Sequence, residues 1–336
     1  MSTTYRAAVC TDLKGPSALE VRSLDVAPLK PGEVRIAVRA AGVNFPDLLM
    51  TTGGYQFRPE PPYVPGMEIA GDVLEVAADI DGLRPGDKVM AQMRLGGFAE
   101  QAIVPVDAVM PLPPQFSYEE GASWYVAATT AWHALHDKAE IQPGQTMLVL
   151  GAAGGVGMAA VQLGKHLGAR IIGLASTQDK CAAVIAAGAD SAFLNDQPDL
   201  LDAVRAAAGP DGVQIVYDPV GGPLAQLATR SFGWGGRYLI VGFASGEIPK
   251  FAANHVLIKG YTVMGLRAGE AGRRDPALGA RNRAALKALA AEGVMRPHVS
   301  HRFSLAEAGA ALQALAERKV TGRAVIMPGL HAPTPA

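Results

Sequence analysis

The sequence predicts an α/β protein in which a doubly wound parallel sheet of six strands stands beside a separate β-rich domain. Three observations lead to this prediction. The chain has 336 residues, which is more than a single core usually serves. Its first third consists of short segments divided by Pro-Gly turns, and its middle third alternates strand-like and helix-like runs.

The composition is that of an ordinary globular protein. The chain is 49% hydrophobic and 18% charged, with a formal net charge of −1. Basic residues are not in excess, so the charge balance gives no indication of binding to nucleic acid or to an acidic membrane surface. No secretory signal opens the sequence, and its two cysteines, Cys10 and Cys181, cannot form a disulfide framework. We therefore expect a cytoplasmic protein.

The β-rich domain is predicted from residue 1 to about residue 122. Pro31-Gly32 and Pro85-Gly86 are typical of tight turns, because proline presets the first central position and glycine accepts positive φ at the second. The runs EVRIAVRAAGV (33–43) and DKVMAQM (87–93) alternate or are β-branched, which favours strands.

A repeated strand-then-helix pattern follows from residue 145 to about residue 265. Its six candidate strands are TMLVLG, RIIGLA, SAFLN, VQIVYD, RYLIVG and YTVMG. Helical runs lie between them, among them MAAVQLGKHL, DKCAAVIAAG, DLLDAVRAAA and PLAQLATRSF. Such alternation predicts a doubly wound parallel sheet. The rest of the chain holds helices at 281–292 and 305–318 and a last strand, RAVIMP (323–328).

The turn between the first strand and its helix contains only small residues. It reads GAAGGVG, with an A-x-G-x-x-G pattern on Ala152, Gly154 and Gly157 that encloses Gly155 and Val156. In a dinucleotide fold the pyrophosphate sits on the helix N-terminus, where larger side chains would block its approach. The flanking strand and helix fit this βαβ context. The alternative is a glycine-rich turn that binds no ligand.

The end of the second strand indicates which dinucleotide is bound. An NAD site usually places a carboxylate there for the ribose hydroxyls, whereas this strand ends in Ser176 and Thr177, with Lys180 close behind. Ser176 can hydrogen-bond a 2′-phosphate and Lys180 can neutralise it, so NADPH is the predicted cofactor. A solvated lysine at a helix start is the alternative interpretation of Lys180.

No metal site is predicted. His133 and His136 stand three residues apart on a predicted helix, but the sequence offers no evident third ligand, and zinc needs three or four.

Several motifs, taken in order along the chain, resemble those of a known family. They are AAGVNFPDLL, PGMEIAGDV, RPGDKV, GGFAEQAIVP, GAAGGVG, YDPVGG, GRYLIVG and LIKG. Together they resemble the medium-chain dehydrogenase/reductase superfamily, and within it the zinc-free, zeta-crystallin-like quinone oxidoreductase branch. The resemblance implies a GroES-like substrate domain formed by residues 1–125 and 266–336 around a Rossmann domain of residues 126–265. It also implies a homodimer, and YTVMG at the sheet edge could pair with a second copy.

The resemblance also bears on the metal. Zinc-dependent relatives carry a cysteine where this sequence has Asn44 and a histidine where it has Met67. We therefore expect a zinc-free enzyme. Alcohol oxidation, which relies on zinc to acidify the hydroxyl, is correspondingly disfavoured.

Three residues are predicted to take part in the chemistry. The resemblance places Asn44 and Asp47 on a loop that approaches nicotinamide and substrate. Tyr55, eleven residues after Asn44, matches the proton-donating tyrosine of mitochondrial enoyl thioester reductases, a sister branch. The alternatives are a structural loop tyrosine and a loop-capping Asp47. Bacterial quinone reductases have tyrosine where this chain has Leu49, which leaves the preference for quinones open.

Further cofactor contacts are implied by the same resemblance. They are Asn44 itself, Thr130, Gly242, Phe243, Leu266 and Arg318, the last near the 2′-phosphate. A surface arginine at a helix end is the alternative for Arg318. Some family members carry tyrosine beside the adenosine where this chain has Asp196, and a carboxylate there would sit poorly beside a 2′-phosphate.

Three functions remain open. The first is an NADPH-dependent quinone oxidoreductase, in which hydride transfer leaves negative charge on oxygen and a hydrogen-bond donor suffices to stabilise it. The second is an ene-reductase acting on an enone, a haloacrylate or an enoyl or acryloyl thioester. A coenzyme A thioester would favour basic residues near the substrate, with Arg58, Arg94 and Arg267 as candidates. The third is a non-catalytic crystallin-like or vesicle-associated relative.

Overall fold

The amino-terminal elements form a β-rich body, as the Pro-Gly punctuation predicts. The computed structural model describes residues 3–330. Gly32 and Gly86 both have positive φ, of 76° and 92°, as the second position of such turns requires. The elements are β1 (Thr4–Cys10), β2 (Leu19–Asp25), β3 (Glu33–Gly42), α1 (Phe45–Met50), β4 (Glu68–Val76), β5 (Lys88–Gln92), β6 (Gln101–Pro105), β7 (Val109–Pro111) and α2 (Tyr118–Gly121).

The middle of the chain alternates strands and helices. After α3 (Tyr125–Trp132) and a π-helical turn, His133–Lys138, the elements are β8 (Thr146–Val149), α4 (Gly155–His166), β9 (Arg170–Ala175), α5 (Gln178–Ala186), β10 (Ser191–Leu194), α6 (Leu200–Ala208), β11 (Val213–Asp218), α7 (Pro223–Arg230), β12 (Phe232–Ile240), α8 (Ala253–Lys259) and β13 (Thr262–Gly265). Two further helices follow, α9 (Ala268–Arg274) and α10 (Pro276–Glu292).

The six strands of this region form one parallel sheet in the order β10-β9-β8-β11-β12-β13. The predicted doubly wound sheet is thereby confirmed. Its central strands are buried on both faces, with Leu148, Ile172, Val216 and Tyr238 in one core cluster. The strand order reverses between β8 and β11, and ligands of such sheets bind outside the carboxyl ends of the strands at that point.

The carboxyl-terminal elements return to the β-rich body. They are β14 (Val299–Ser304), α11 (Ala308–Ala316) and β15 (Arg323–Met327). Strand β15 pairs antiparallel with β3, which gives a seven-stranded sheet in the order β14-β15-β3-β4-β5-β7, with β6 paired to β3. Both ends of the chain therefore build one sheet, around a core that includes Ile36, Ile69 and Ile326.

The described chain divides into two units, one up to Val126 and from Pro297 onward, the other spanning Ala127–Arg296. The second boundary was expected at residue 266, some thirty residues before the one at Pro297 in the structure. The reason is α10, whose Asn282 accepts a hydrogen bond from Trp132 Nε1 at 3.2 Å and donates one to Asp137 at 2.6 Å. These bonds hold α10 in the parallel-sheet unit.

Within residues 3–330, no helix is both long enough and apolar enough to cross a bilayer.

Candidate cofactor and acceptor sites

The turn after β8, residues 151–157, carries only small side chains and is called the bare turn below. It is shaped by close backbone contacts. Gly151 has φ of 56°, and a Cβ there would lie 2.7 Å from Val220 Cγ2. The position that requires glycine for its φ is thus one residue before the A-x-G-x-x-G pattern begins. Ala152 is buried, and its N–H donates to the carbonyl of Leu174 on the neighbouring strand at 2.9 Å. This explains why alanine is accepted at the first position of the pattern.

The other two positions of the pattern place the N-terminus of α4. Gly154 is the N-cap, and its N–H donates to Gly151 O at 2.9 Å. At Gly157 a Cβ would lie 2.4 Å from Gly151 O and 2.9 Å from Ala152 Cα, so no side chain fits. Within the described chain no residue accepts from the N–H groups of Gly155, Val156 and Gly157. Free N–H groups and the dipole of a twelve-residue helix favour an anion here.

The end of β9 carries hydroxyl side chains. Ser176 and Thr177 are exposed, and Thr177 caps α5 by accepting from the N–H of Lys180 at 3.3 Å. The third strand ends beside them, since Asn195 N–H donates to Ala175 O at 2.9 Å, and exposed Asp196 follows directly. A ribose bound at this strand end would meet hydroxyl groups first, with Asp196 on the adjacent loop.

The remaining cofactor positions predicted in this unit divide between the sheet edge and a helix. Gly242 N–H donates to Asp218 O at 3.3 Å, which sets Gly242 and Phe243 beyond β12. Leu266 lies beyond β13 and donates its N–H to Ile240 O at 3.0 Å. These residues share the carboxyl edge of the sheet with the bare turn. Thr130 instead lies within helix α3.

Asp218, which orders part of this edge, was not among the residues predicted from the sequence. Asp218 is fully buried, and its Oδ1 accepts from the N–H groups of Val220 and Gly221 at 2.7 and 2.8 Å. Tyr238 donates its hydroxyl to the other carboxylate oxygen at 2.5 Å. Burial raises the pKa of Asp218, and these donors act against that rise. The carboxylate thereby holds Val220 against Gly151. A charged residue ending the apolar run VQIVYD was the available signal.

Arg318 belongs to the β-rich unit, not to the unit that carries the bare turn. It follows α11, is exposed, and has φ of 58°.

A buried charged cluster lies at the start of α1 in the β-rich unit. Asn44 Nδ2 donates to Glu68 Oε1 at 3.0 Å, and Arg323 donates to Asn44 Oδ1 at 3.0 Å. Arg323 also forms an ion pair with Glu68. The exposed fractions are 3% for Asn44, 0% for Glu68 and 6% for Arg323. Asn44 is therefore held on both sides of its amide.

Asp47 completes this cluster. Its carboxylate accepts from the N–H groups of Asn44 and Gly66, each at 3.0 Å, and it is fully buried. Burial raises the pKa of Asp47 to about 7, although both N–H donors and Arg323 act to lower it. Glu68 and Arg323 were not singled out from the sequence, where the available signal was a charged first residue in each of the mostly apolar strands EIAGDV and RAVIM.

The donor set of this cluster does not fit zinc. Asn44 Oδ1 accepts from the guanidinium of Arg323, a cation, and Met67 offers only a thioether. Zinc prefers thiolate, imidazole and carboxylate ligands in a tetrahedron. Across residues 3–330, no group of three His, Cys, Asp or Glu side chains is placed to hold a metal ion.

His133 and His136 lie in the π-helical turn rather than in a regular α-helix. Both point Nδ1 at the carboxylate of Asp137, at 2.8 and 3.0 Å, which Arg281 approaches at 3.7 Å. Asp137 thus binds both histidines, and Arg281 and Asn282 of α10 contact the same carboxylate. They form a structural cluster of the parallel-sheet unit.

Tyr55 lies on the loop after α1, among apolar side chains. Tyr55, Phe57, Met67 and Leu95 are partly buried and pack against Cys10, Met50 and Tyr63. Unlike Asn44 and Asp47, Tyr55 keeps part of its surface exposed.

The two units match two family models. Residues 30–114 match the GroES-like domain of alcohol dehydrogenase, and residues 155–282 match the model described as zinc-binding dehydrogenase. These matches and the two sheets define a medium-chain dehydrogenase/reductase, and the chain belongs to that superfamily. Within it, the chain groups with the quinone oxidoreductases and their like, as the first two of the following similarities indicate.

Quinone oxidoreductase-like protein 2 of Rattus norvegicus is 35% identical over 323 residues, which cover 96% of this chain and 92% of that protein. The quinone oxidoreductase of Thermus thermophilus, solved also in complex with NADPH, has a TM-score of 0.81 and 33% identity, covering 96% of this chain and 99% of that one. A pikromycin polyketide synthase component of Streptomyces venezuelae is 34% identical over 310 residues, 91% of this chain and 8% of that protein. The protein is thus an oxidoreductase with a nicotinamide cofactor.

Proposed function

We propose that the protein is a zinc-independent, NADPH-dependent quinone oxidoreductase that transfers hydride to a quinone or a similar conjugated carbonyl. The observation that carries the proposal is the charged cluster around Asn44, where the guanidinium of Arg323 binds the side chain that stands in place of a zinc-binding cysteine. Without a Lewis acid the acceptor must already be electrophilic, and conjugated carbonyls are.

NADPH rather than NADH is supported by the end of β9, which presents Ser176 and Thr177 and no carboxylate. The free N–H groups at the start of α4 would hold the pyrophosphate. When bound, the reduced nicotinamide supplies the hydride. Replacing Ser176 by Asp should reverse the preference between NADPH and NADH. An unchanged ratio of the two dissociation constants would contradict this assignment.

The three predicted catalytic residues divide into two roles in this proposal. Asn44 and Asp47 are buried and fully engaged, so they act as positioning residues that fix the loop carrying them. Tyr55 is partly exposed and stands on the loop that follows α1, so it is the proposed donor. Its hydroxyl would hydrogen-bond to, or protonate, the oxygen that becomes negative after hydride transfer.

The test is loss of reduced-nicotinamide absorbance with purified protein. NADPH and NADH are each compared against a benzoquinone, a simple enone and a crotonyl thioester. We expect quinone turnover with NADPH, reduced at least about tenfold by Tyr55→Phe if the hydroxyl takes part in the transition state. Full turnover of Tyr55→Phe with every acceptor would remove Tyr55 from the chemistry.

Ene reduction is the second candidate. The similarity to part of a polyketide synthase favours it, because such synthases handle acyl thioesters. Turnover of the enone or thioester alone would select it. A non-catalytic relative is the third, and absence of dinucleotide binding in a fluorescence titration would indicate it.

We further propose a cytoplasmic homodimer. Strand β13 is the edge of the parallel sheet, and beside it Trp234, Leu257 and Ile258 are 81%, 79% and 66% exposed. Antiparallel pairing of two β13 strands would satisfy the open edge and cover these side chains. Light scattering should give about twice the chain mass of 34.9 kDa, and a monomer at micromolar concentration would contradict the dimer.

The proposed cytoplasmic location is supported by the two cysteines. Cys10 and Cys181 are buried and form no disulfide, as is typical of a reducing compartment. Cell fractionation tests this location.

A further inference from the structure

Two arginines without carboxylate partners stand on the loops around Tyr55. The guanidinium carbon of Arg94 lies 5.0 Å from the centre of the Phe57 ring. Arg58 follows Phe57 directly, and both arginines are exposed. Among residues 3–330 no carboxylate lies within 4.0 Å of either guanidinium. Other surface arginines of this unit, such as Arg6 and Arg39, form ion pairs with carboxylates, whereas Arg84, like Arg58 and Arg94, has no such partner among residues 3–330.

The stacking leaves Arg94 ready to bind a further group. A guanidinium over an aromatic ring uses one face in a cation–π contact, while its N–H groups point outward in the plane. The ring limits the rotamers of the side chain, so less conformational entropy is lost when a ligand binds. Paired N–H groups in this orientation match a carboxylate or a phosphate in geometry and charge.

Backbone contacts place Arg94 on the same wall as Tyr55. Met93 N–H donates to Met67 O at 2.9 Å, so the residue before Arg94 is bonded to the residue that replaces a zinc-binding histidine. Phe57, which Arg94 covers, packs against the same buried side chains as Tyr55 and Met67. The proposed donor and the unpaired cation therefore belong to one surface within the β-rich unit.

The nearby negative charges do not neutralise this surface. Glu68 is fully buried and paired with Arg323, and Asp47 is fully buried with backbone donors on both oxygens. Glu60, on the same loop as Arg58, is exposed but forms no ion pair with either arginine, so the charges of Arg58, Arg94 and Glu60 beside Tyr55 leave a net positive charge. A neutral quinone or enone would make no use of it, whereas an acceptor with an anionic group would.

We propose that Arg94 binds an anionic group, carboxylate or phosphate, on the acceptor, and that the natural acceptor is an anion-bearing conjugated carbonyl compound. The proposal rests on the function proposed above and narrows its substrate class. Arg58 adds to the local positive potential. The anion comes either from a carboxylate on the acceptor itself or from the phosphates of a coenzyme A thioester.

The experiment compares acceptors that share an electrophile and differ in charge. One pair is crotonyl-coenzyme A and the crotonyl thioester of N-acetylcysteamine, and the other is monomethyl and dimethyl fumarate. Arg94→Gln should lower kcat/KM for an anionic member about 10- to 100-fold, the range for losing a charge-assisted hydrogen bond. The neutral member should change less than about threefold, because it makes no such bond. Arg94→Lys should restore part of the loss, since it keeps the charge but not the fork.

Arg84→Gln is the matched control, because Arg84 is an exposed arginine of the same unit and its loss changes the net charge equally. It should leave both members of each pair unchanged. Loss confined to the thioester pair identifies phosphate as the anion, and loss confined to the fumarate pair identifies carboxylate. Equal losses for charged and neutral members, or none, overturn the proposal.

Binding without turnover separates this proposal from the function on which it rests. Dissociation constants are measured by calorimetry for butyryl-coenzyme A, butyryl-N-acetylcysteamine, and the monomethyl and dimethyl succinates, which cannot be reduced. At least one anionic ligand should bind the wild type about tenfold more tightly than its neutral partner, and Arg94→Gln should abolish the difference. If no acceptor is turned over, the proposed function fails while this ratio still decides the role of Arg94. If the wild type binds the anionic and the neutral member of each pair with equal dissociation constants, the proposed anion binding by Arg94 is overturned.

Discussion

Removing the guanidinium of Arg323 tests the buried cluster directly. Arg323→Met keeps a long unbranched side chain but leaves Glu68, which is 0% exposed, without its cation. Breaking a buried ion pair by removing one partner costs about 3–5 kcal/mol, because an uncompensated charge stays buried. The exposed pair of Arg302 and Glu119, with side chains 48% and 20% accessible, should be worth only about 0–1 kcal/mol. Arg302→Met is therefore the matched control.

The loss should also depend on pH. Burial raises the pKa of Glu68 above its usual value of 4.5, and Arg323 acts against that rise. Without Arg323 the pKa in the folded state moves further upward. A carboxyl group whose folded-state pKa exceeds its unfolded-state pKa contributes stability that is fully present below the unfolded value. That stability is lost as the pH rises through the folded value. Arg323→Met should thus lose more stability at pH 8 than at pH 5.

The free energies of unfolding of the wild type and the variants are measured by urea unfolding, followed by tryptophan fluorescence. They can be compared when each protein unfolds in a single cooperative transition. The double variant Glu68→Gln with Arg323→Met should recover part of the loss, because no charge then remains buried. If Arg323→Met destabilises the protein no more than Arg302→Met at either pH, the predicted cost of breaking the buried Glu68–Arg323 pair is wrong. The same prediction is wrong if the loss of stability in the double variant equals the sum of the losses in the Glu68→Gln and Arg323→Met single variants.

Two other predictions concern the bare turn and Asp47. Gly157→Ala should weaken dinucleotide binding at least about tenfold, because its Cβ would lie 2.4 Å from Gly151 O. Gly154→Ala, whose Cβ would lie 3.3 Å from the same oxygen, should weaken it less, and equal dissociation constants for the two variants would contradict the packing argument. The pKa of Asp47 is raised from 3.8 to about 7, so the neutral form stabilises the fold below about pH 4 and this contribution is lost as the pH rises through 7. The free energy of unfolding of the wild type, measured relative to Asp47→Asn, should therefore fall between pH 5 and pH 8, and a constant difference would disprove the shift.

Local patterns along the chain were enough to predict the parallel sheet and its cofactor turn. The alternation of apolar strands with helical runs depends on each segment's own periodicity, and all six predicted strands lie in the observed sheet. The turn at Ala152–Gly157 was recognisable because a close backbone approach excludes side chains, and that restriction is visible in the residues themselves.

The buried cluster around Asn44 was decided by tertiary structure alone. Arg323 is 255 residues from Glu68 and 279 from Asn44 along the chain, and pairing of β15 with β3 brings them together. The boundary at 297 has the same origin, because Asn282 of α10 accepts a hydrogen bond from Trp132 and donates one to Asp137, which retains α10 in the parallel-sheet unit. The hydrophobic periodicity of a segment predicts which of its faces is buried. It does not predict which charged residue, distant in sequence, will lie against that face. Contacts between segments far apart in the chain are fixed only when the sheets assemble.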